Sequence, residues 1–230
     1  MAEITRPLGS LILQTIETRW FGRGAAPSDI VAWFEALPGE VEDQPVRRDF
    51  YLQSLHDDGL SVKLREGGLE VKQRQAALGL IHFSRSVTGL VERWTKWRFR
   101  LDQSSSPLQA IFARDRSWIP VDKERCLKHY QLNETGTTQI APSPANLASG
   151  NAGAGGGTEG SPLTFHLELA RVWAGESYWW TLGYEADSGA EMPPDRLLEA
   201  AGSQFKEGVP GQLTGPNSFS YPHWLAKYLE

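Results

Sequence analysis

Consecutive side chains on a β-strand point to opposite faces, so residues two apart share one. On that spacing the chain places cations together repeatedly: Lys63 with Arg65, Lys72 with Arg74, Lys123 with Arg125, and Arg98 with Arg100 beside Lys96. A single pair of this kind is what a solvated strand face ordinarily carries. Repetition over several strands means more, because like charges held close together are unfavourable unless carboxylates or a bound polyanion compensate. Phosphate oxygens are the small-molecule partners best suited to such a set. Closing the sheet would focus these cations into a lumen.

Carboxylates are sparser on the same kind of strand: Glu17 beside Arg19, Glu70 beside Lys72, then Glu168 and Glu185. A Mg²⁺ or Mn²⁺ ion shared with a phosphate needs hard oxygen ligands, including about two carboxylates. Glu17, Glu168 and Glu185 are the candidates, and each can equally serve as the ion-pair partner of a nearby cation. Other chemistry finds little support. The five histidines never recur at HxH or HxxxH spacing, so no zinc site is expected. A GxSxG elbow is absent, and Cys126 reads as a small apolar residue. The nine tryptophans suit strand packing better than base stacking.

The elements that must position these residues are mostly strands. β-Branched and aromatic residues concentrate in Leu11 to Phe21, Phe50 to Leu52, Leu60 to Leu64, Leu69 to Gln73, Leu78 to Phe83, Leu90 to Leu101, Ile111 to Phe112, Cys126 to Leu132, Thr164 to Val172 and Tyr178 to Ala186. Asp57-Asp58-Gly59, Glu66-Gly67-Gly68 and Ala174-Gly175-Glu176 read as hairpin connections. Helices are few: Ser28 or Asp29 caps Ile30 to Leu37, Pro194 opens Asp195 to Phe205, and Pro222 opens His223 to Leu229. Residues 141 to 162 are Gly, Ala, Ser and Pro-rich with one charge, a flexible insertion that has no P-loop ending. The expectation is a mainly β (α+β) chain, one antiparallel domain over residues 1 to 230 with helices at its edges.

Composition narrows the function classes. The 230 residues are 40% hydrophobic and carry 23 Lys and Arg against 28 Asp and Glu, a net charge of −5. That argues against a disordered chain and against a nucleic-acid partner. Charge is segregated, however. Residues 47 to 128 hold 16 Lys and Arg against 10 Asp and Glu, whereas the flanks hold 7 against 18. A locally positive cavity on an acidic protein follows naturally from such a pattern. The single cysteine suits a reducing compartment, and neither a signal peptide nor a membrane-length apolar run is seen. A cytoplasmic protein without a membrane partner is expected.

The order of these motifs resembles the CYTH superfamily, the triphosphate tunnel metalloenzymes. Its opening ExExK is similar to Thr15-Ile16-Glu17-Thr18-Arg19. Its substrate-binding Lys/Arg-x-Arg resembles Lys63-Leu64-Arg65, followed by Lys72 within LEVKQR and Arg93 within GLVERWTKW. A late KxR with a tyrosine resembles Lys123-Glu124-Arg125 with Tyr130, while FHLELARV, WWTLGYEA and SYPHWL resemble the closing segments. The resemblance implies a tunnel-like antiparallel barrel of eight strands that binds a phosphorylated small molecule. With the pattern above, the expected ligand-binding set is Arg19, Lys63, Arg65, Lys72, Arg74, Arg93, Lys123 and Arg125. Catalysis by a metal-dependent triphosphatase would use Glu17 and Glu185, with Mg²⁺ or Mn²⁺ held by Glu17, Glu168 and Glu185. Three departures bear on that activity: Thr15, Ala170 and Gly183 stand where the family's pattern has carboxylates. Loss of metal ligands with retention of cations makes a catalytically lost barrel, a phosphate-ligand sensor or protein-interaction module, the alternative. On β-strand spacing Arg93 falls on the face opposite Lys96, Arg98 and Arg100.

Overall fold

The computed structural model describes residues 11–53, 58–100, 117–133, 136–139, 163–187, 194–205, 208–211 and 213–228. Its strands are β1 (Leu11–Arg23), β2 (Glu42–Leu52), β3 (Leu60–Arg65), β4 (Gly68–His82), β5 (Thr88–Arg100), β6 (Trp118–Asn133), β7 (Gly136–Gln139), β8 (Leu163–Ala174) and β9 (Ser177–Asp187). The helices are α1 (Ser28–Ala36), α2 (Pro194–Phe205) and α3 (Tyr221–Tyr228). Strands pair antiparallel in the order β2-β3-β4-β5-β1-β9-β8-β6, and β6 returns to β2. Eight strands therefore close into the expected barrel, with β7 added on the far side of β6 as a short hairpin. Closure removes the exposed edges that an open sheet would present.

Alternation along each strand sorts the sequence into two environments. Ile16, Trp20, Val91, Leu167, Leu182 and Tyr184 face outward and are buried beneath Ile30 and Phe34 of α1 and Leu197, Ala200, Ala201 and Phe205 of α2. The larger apolar core thus lies outside the barrel wall. Inside, one end is filled by Phe21, Tyr51, Val121, Ala170, Val172 and Trp179, packed against Phe219, Trp224 and Leu225. Phe21 stacks on Phe219 at 4.8 Å and lies 5.8 Å from Trp224, so α3 and the residues before it stopper that end. The stopper is pinned by Phe219 N–H donating to the Arg19 carbonyl and Leu90 N–H donating to Ser218 Oγ.

Several elements differ from the sequence expectation. Leu69 to Gln73 and Leu78 to Phe83 are not two strands: β4 runs through, with register shifts at Arg74/Ala76 and Ala77/Gly79, and Gly79 takes a φ of 98°. Strands β2 and β6 begin well before Phe50 and Cys126, in charge-rich stretches that place Arg47, Lys123 and Arg125 inward. Neither Ser28 nor Asp29 caps α1. The cap position is Pro27, and the Asp29 carboxylate accepts from Ile30 N–H instead. At the other end of α1, the buried Lys128 donates to the carbonyls of Glu35 and Leu37, satisfying two groups the helix leaves open. The Ile111 to Phe112 strand and the 141 to 162 insertion lie outside the described residues. Among the described residues, no helix is long and apolar enough to cross a membrane.

Candidate functional site

Inside the barrel, between the apolar stopper and the opposite end, lies a cavity of about 170 Å³. Every one of the eight barrel strands contributes to its lining, because each places alternate residues inward. The lining holds nine Lys or Arg: Arg19, Arg47, Lys63, Arg65, Lys72, Lys96, Arg98, Lys123 and Arg125. Against them stand five glutamates, Glu17, Glu70, Glu92, Glu168 and Glu185. With the buried Asp49 beside Arg47, Lys63 and Lys123 counted in, nine basic groups face six carboxylates, an excess of three. Eight of the nine cations come from the basic middle of the chain, residues 47 to 128.

Six of the eight expected ligand-binding residues line this cavity: Arg19, Lys63, Arg65, Lys72, Lys123 and Arg125. Arg74 and Arg93 do not. Arg74 is drawn aside by Glu92 at 2.8 Å and Asp58 at 2.7 Å. Arg93 sits on the outer face of β5, whose inward residues are Glu92, Trp94, Lys96 and Arg98. Tyr130 likewise faces outward, donating to the Pro38 carbonyl and stacking on Phe165. All three expected metal ligands, Glu17, Glu168 and Glu185, do line the cavity. Sequence reasoning left Arg47, Lys96, Arg98, Glu92, Tyr51 and Tyr221 out of the expected site, although strand spacing groups Lys96 with Arg98. For Arg47 the signal was present, since Arg47, Asp49 and Tyr51 alternate along β2.

The floor of the cavity is built around aromatic rings. Lys123 Nζ donates to Tyr51 Oη at 2.6 Å and lies 3.5 Å from the Tyr221 ring centroid. Burial drives its pKa well below the ordinary lysine value despite the opposing charge of Asp49. Asp49 is fully buried, bonded to Arg47 at 3.0 Å and within 4.0 Å of both Lys63 and Lys123. Lys63 pairs with Glu70 at 2.8 Å, yet burial outweighs that pairing and brings its pKa down to about 8.

Arg19 is held most firmly. It donates to Glu168 at 2.7 Å and to Thr181 Oγ1 at 2.6 Å, and stands 4.9 Å from the Tyr221 ring. Its guanidinium lies directly over Gly183: a Cβ there would come within 2.4 Å of it. The glycine is therefore what makes room for the arginine. Glu168 also accepts from Arg125 at 3.2 Å. Burial alone would raise the Glu168 pKa, but Arg19, Arg125 and Lys123 overcome it and hold the group below the usual carboxylate range.

A divalent cation needs carboxylate oxygens free to coordinate it. Pairing register sets Glu92, Glu17 and Glu185 side by side on β5, β1 and β9. Each is already engaged: Glu17 by Lys72 at 2.6 Å, Glu185 by Lys96 at 3.1 Å, Glu92 by Arg74, and Glu168 by two arginines. Among the described residues no three His, Cys, Asp or Glu are grouped to hold a metal ion. The donor set does not fit a resident Mg²⁺ or Mn²⁺. A comparison of the chain with protein-family models gives no match, and neither does one with curated proteins.

Proposed function

We propose that this chain is a CYTH-like barrel that binds a triphosphate or another phosphorylated small molecule in its cationic lumen. The observation carrying this reading is the convergence of nine Lys and Arg on one barrel cavity, against five Glu in its lining and the buried Asp49. Such an excess inside a low-dielectric wall is costly unless an anion neutralises it. Guanidinium and ammonium groups match phosphate oxygens in charge and donor geometry. The test is isothermal titration with tripolyphosphate, ATP and thiamine triphosphate. Lys63→Ala and Arg65→Ala should each weaken binding by about 1 to 3 kcal/mol. Failure of the wild-type protein to bind any of the three would overturn the reading.

A second reading, binding without turnover as a phosphate-ligand sensor or interaction module, is favoured by the engagement of Glu17, Glu168 and Glu185 in ion pairs. Phosphate release from the same compounds with Mg²⁺ or Mn²⁺ separates the two. Release that disappears in Glu17→Gln identifies a hydrolase; tight binding with no release identifies a binding protein.

A further inference from the structure

The carboxylates of the cavity stand beside cations that belong to the chain itself. Lys72 Nζ is 2.6 Å from Glu17 Oε2, and its lysine also feels the charge of Glu185. Lys96 reaches Glu185 at 3.1 Å. The Arg19 guanidinium occupies the space over Gly183 that any side chain at that position would need. These cations sit where a divalent ion bridging neighbouring carboxylates would have to go. We infer that Lys72, Lys96 and Arg19 stand in for a divalent metal, so that the ligand of this cavity is a phosphate compound free of metal.

Two physical arguments carry the inference, which rests on the phosphate-binding reading above. An incoming dication enters a cavity where basic groups outnumber carboxylates even with Asp49 counted, and must displace an ammonium to take Glu17 or Glu185. Mg²⁺ also gives up its hydration water reluctantly, and each of these carboxylates already has one oxygen held by a basic side chain. For the ligand the sign is reversed. A metal-free polyphosphate brings its full negative charge to that excess, whereas its Mg²⁺ complex brings two charges fewer and a hydrated ion that the cavity cannot seat.

The test uses the intact chain with tripolyphosphate as probe and has two measurements. Isothermal titration in EDTA and again with Mg²⁺ in excess should show binding in both, weaker with Mg²⁺ by roughly tenfold, as one lost charge-assisted contact would give. Binding that requires Mg²⁺ would overturn the inference while leaving the phosphate reading intact; absence of binding under either condition would remove the reading itself. The second measurement is the electron paramagnetic resonance of Mn²⁺ without phosphate. Wild-type protein should leave the free-ion signal unchanged, and Lys72→Met, which releases Glu17 beside Glu92 and Glu185, should diminish it. A signal already diminished by the wild-type protein, or a folded Lys72→Met that leaves it unchanged, would contradict the assignment of Lys72. If that variant does not fold, the wild-type titration and resonance still decide the matter.

Discussion

The two faces of the barrel wall differ by one position along the chain and by almost everything in chemistry. On β1, Ile16 and Trp20 lie in the outer core, fully buried, while Glu17 and Arg19 line the inner cavity. Outside, apolar side chains are removed from water beneath α1 and α2, the main favourable contribution to folding. Inside, ion pairs are desolvated, and their mutual attraction offsets that cost only in part. On the proposed reading, stability and ligand chemistry are thus assigned to opposite faces of the same strands. An ordinary water-soluble barrel is filled with apolar residues, and here only the stoppered end keeps that character.

The largest effect is expected from the outer face. Trp20 makes edge contacts to Phe83 at 6.0 Å and Phe205 at 5.9 Å and donates Nε1–H to the Thr88 carbonyl. Trp20→Ala should lower unfolding free energy by about 3 to 5 kcal/mol, measured by denaturant titration. That is a large share of the stability of an ordinary domain. A loss below about 1 kcal/mol would show that the helix-covered face does not dominate stability.

On the inner face, removing a cation and removing its carboxylate should act with opposite signs on ligand affinity. Arg19→Met deletes one positive group and leaves Arg125 as the remaining ion-pair partner of Glu168. Tripolyphosphate affinity should fall by about 1 to 3 kcal/mol, with a comparable loss of stability from the less compensated carboxylate. Glu168→Gln deletes the negative charge and should strengthen binding. Titration calorimetry on the pair sharpens the contrast; equal losses in both would mean that the Arg19–Glu168 pair acts as scaffold.

Lys63 gives a pH dependence of the inner face. Burial lowers its folded pKa to about 8, against an ordinary value of 10.5. Its ammonium is present below that pKa and lost above it, so polyphosphate affinity should decline as pH rises through 8, and binding near pH 8 should take up protons. Folding responds in the reverse sense. Between about 8 and 10.5 the unfolded chain binds the extra proton, so this group's contribution to stability rises with pH in that window. Calorimetric titrations at pH 7 and 9.5 check the first effect, and Lys63→Arg, whose guanidinium stays charged, should flatten it.

Much of this was legible before any coordinates. Strand periodicity pointed to an antiparallel β domain, the resemblance alone implied its closure into a barrel, and six of eight expected cations line the cavity. Alternate spacing was sufficient for Lys63, Arg65, Lys123 and Arg125, because each pair rides one face of a regular strand. It failed where regularity fails. Arg74 is the residue at which β4 shifts register, and its side chain turns to Glu92 and Asp58. The early half of β2 was missed because alternating charged residues have the composition of a loop, and in β6 only the Lys123 and Arg125 spacing marked a strand before Cys126. Tyr221 reaches the cavity only because α3 folds back against β1, a long-range contact that no local pattern encodes.

The smallest expected effect tests the register of β5, where the family resemblance and the strand alternation disagreed. Arg93 pairs with Ile16 of the outer core, whereas Glu92 pairs with Glu17 of the cavity. A slip of one residue would exchange them, bringing Arg93 inward and turning Lys96 and Arg98 out. With the register as described, Arg93→Ala should leave tripolyphosphate affinity within about twofold of wild type, since the Coulomb effect of a charge beyond the wall is small. Lys96→Ala should weaken binding measurably, because it removes a lining cation and leaves Glu185 less compensated. Measured side by side, the two substitutions separate a stability role from a ligand role on one strand. A loss of affinity from Arg93→Ala with none from Lys96→Ala would require the inner and outer faces of β5 to be reversed, and with them the division between core and cavity.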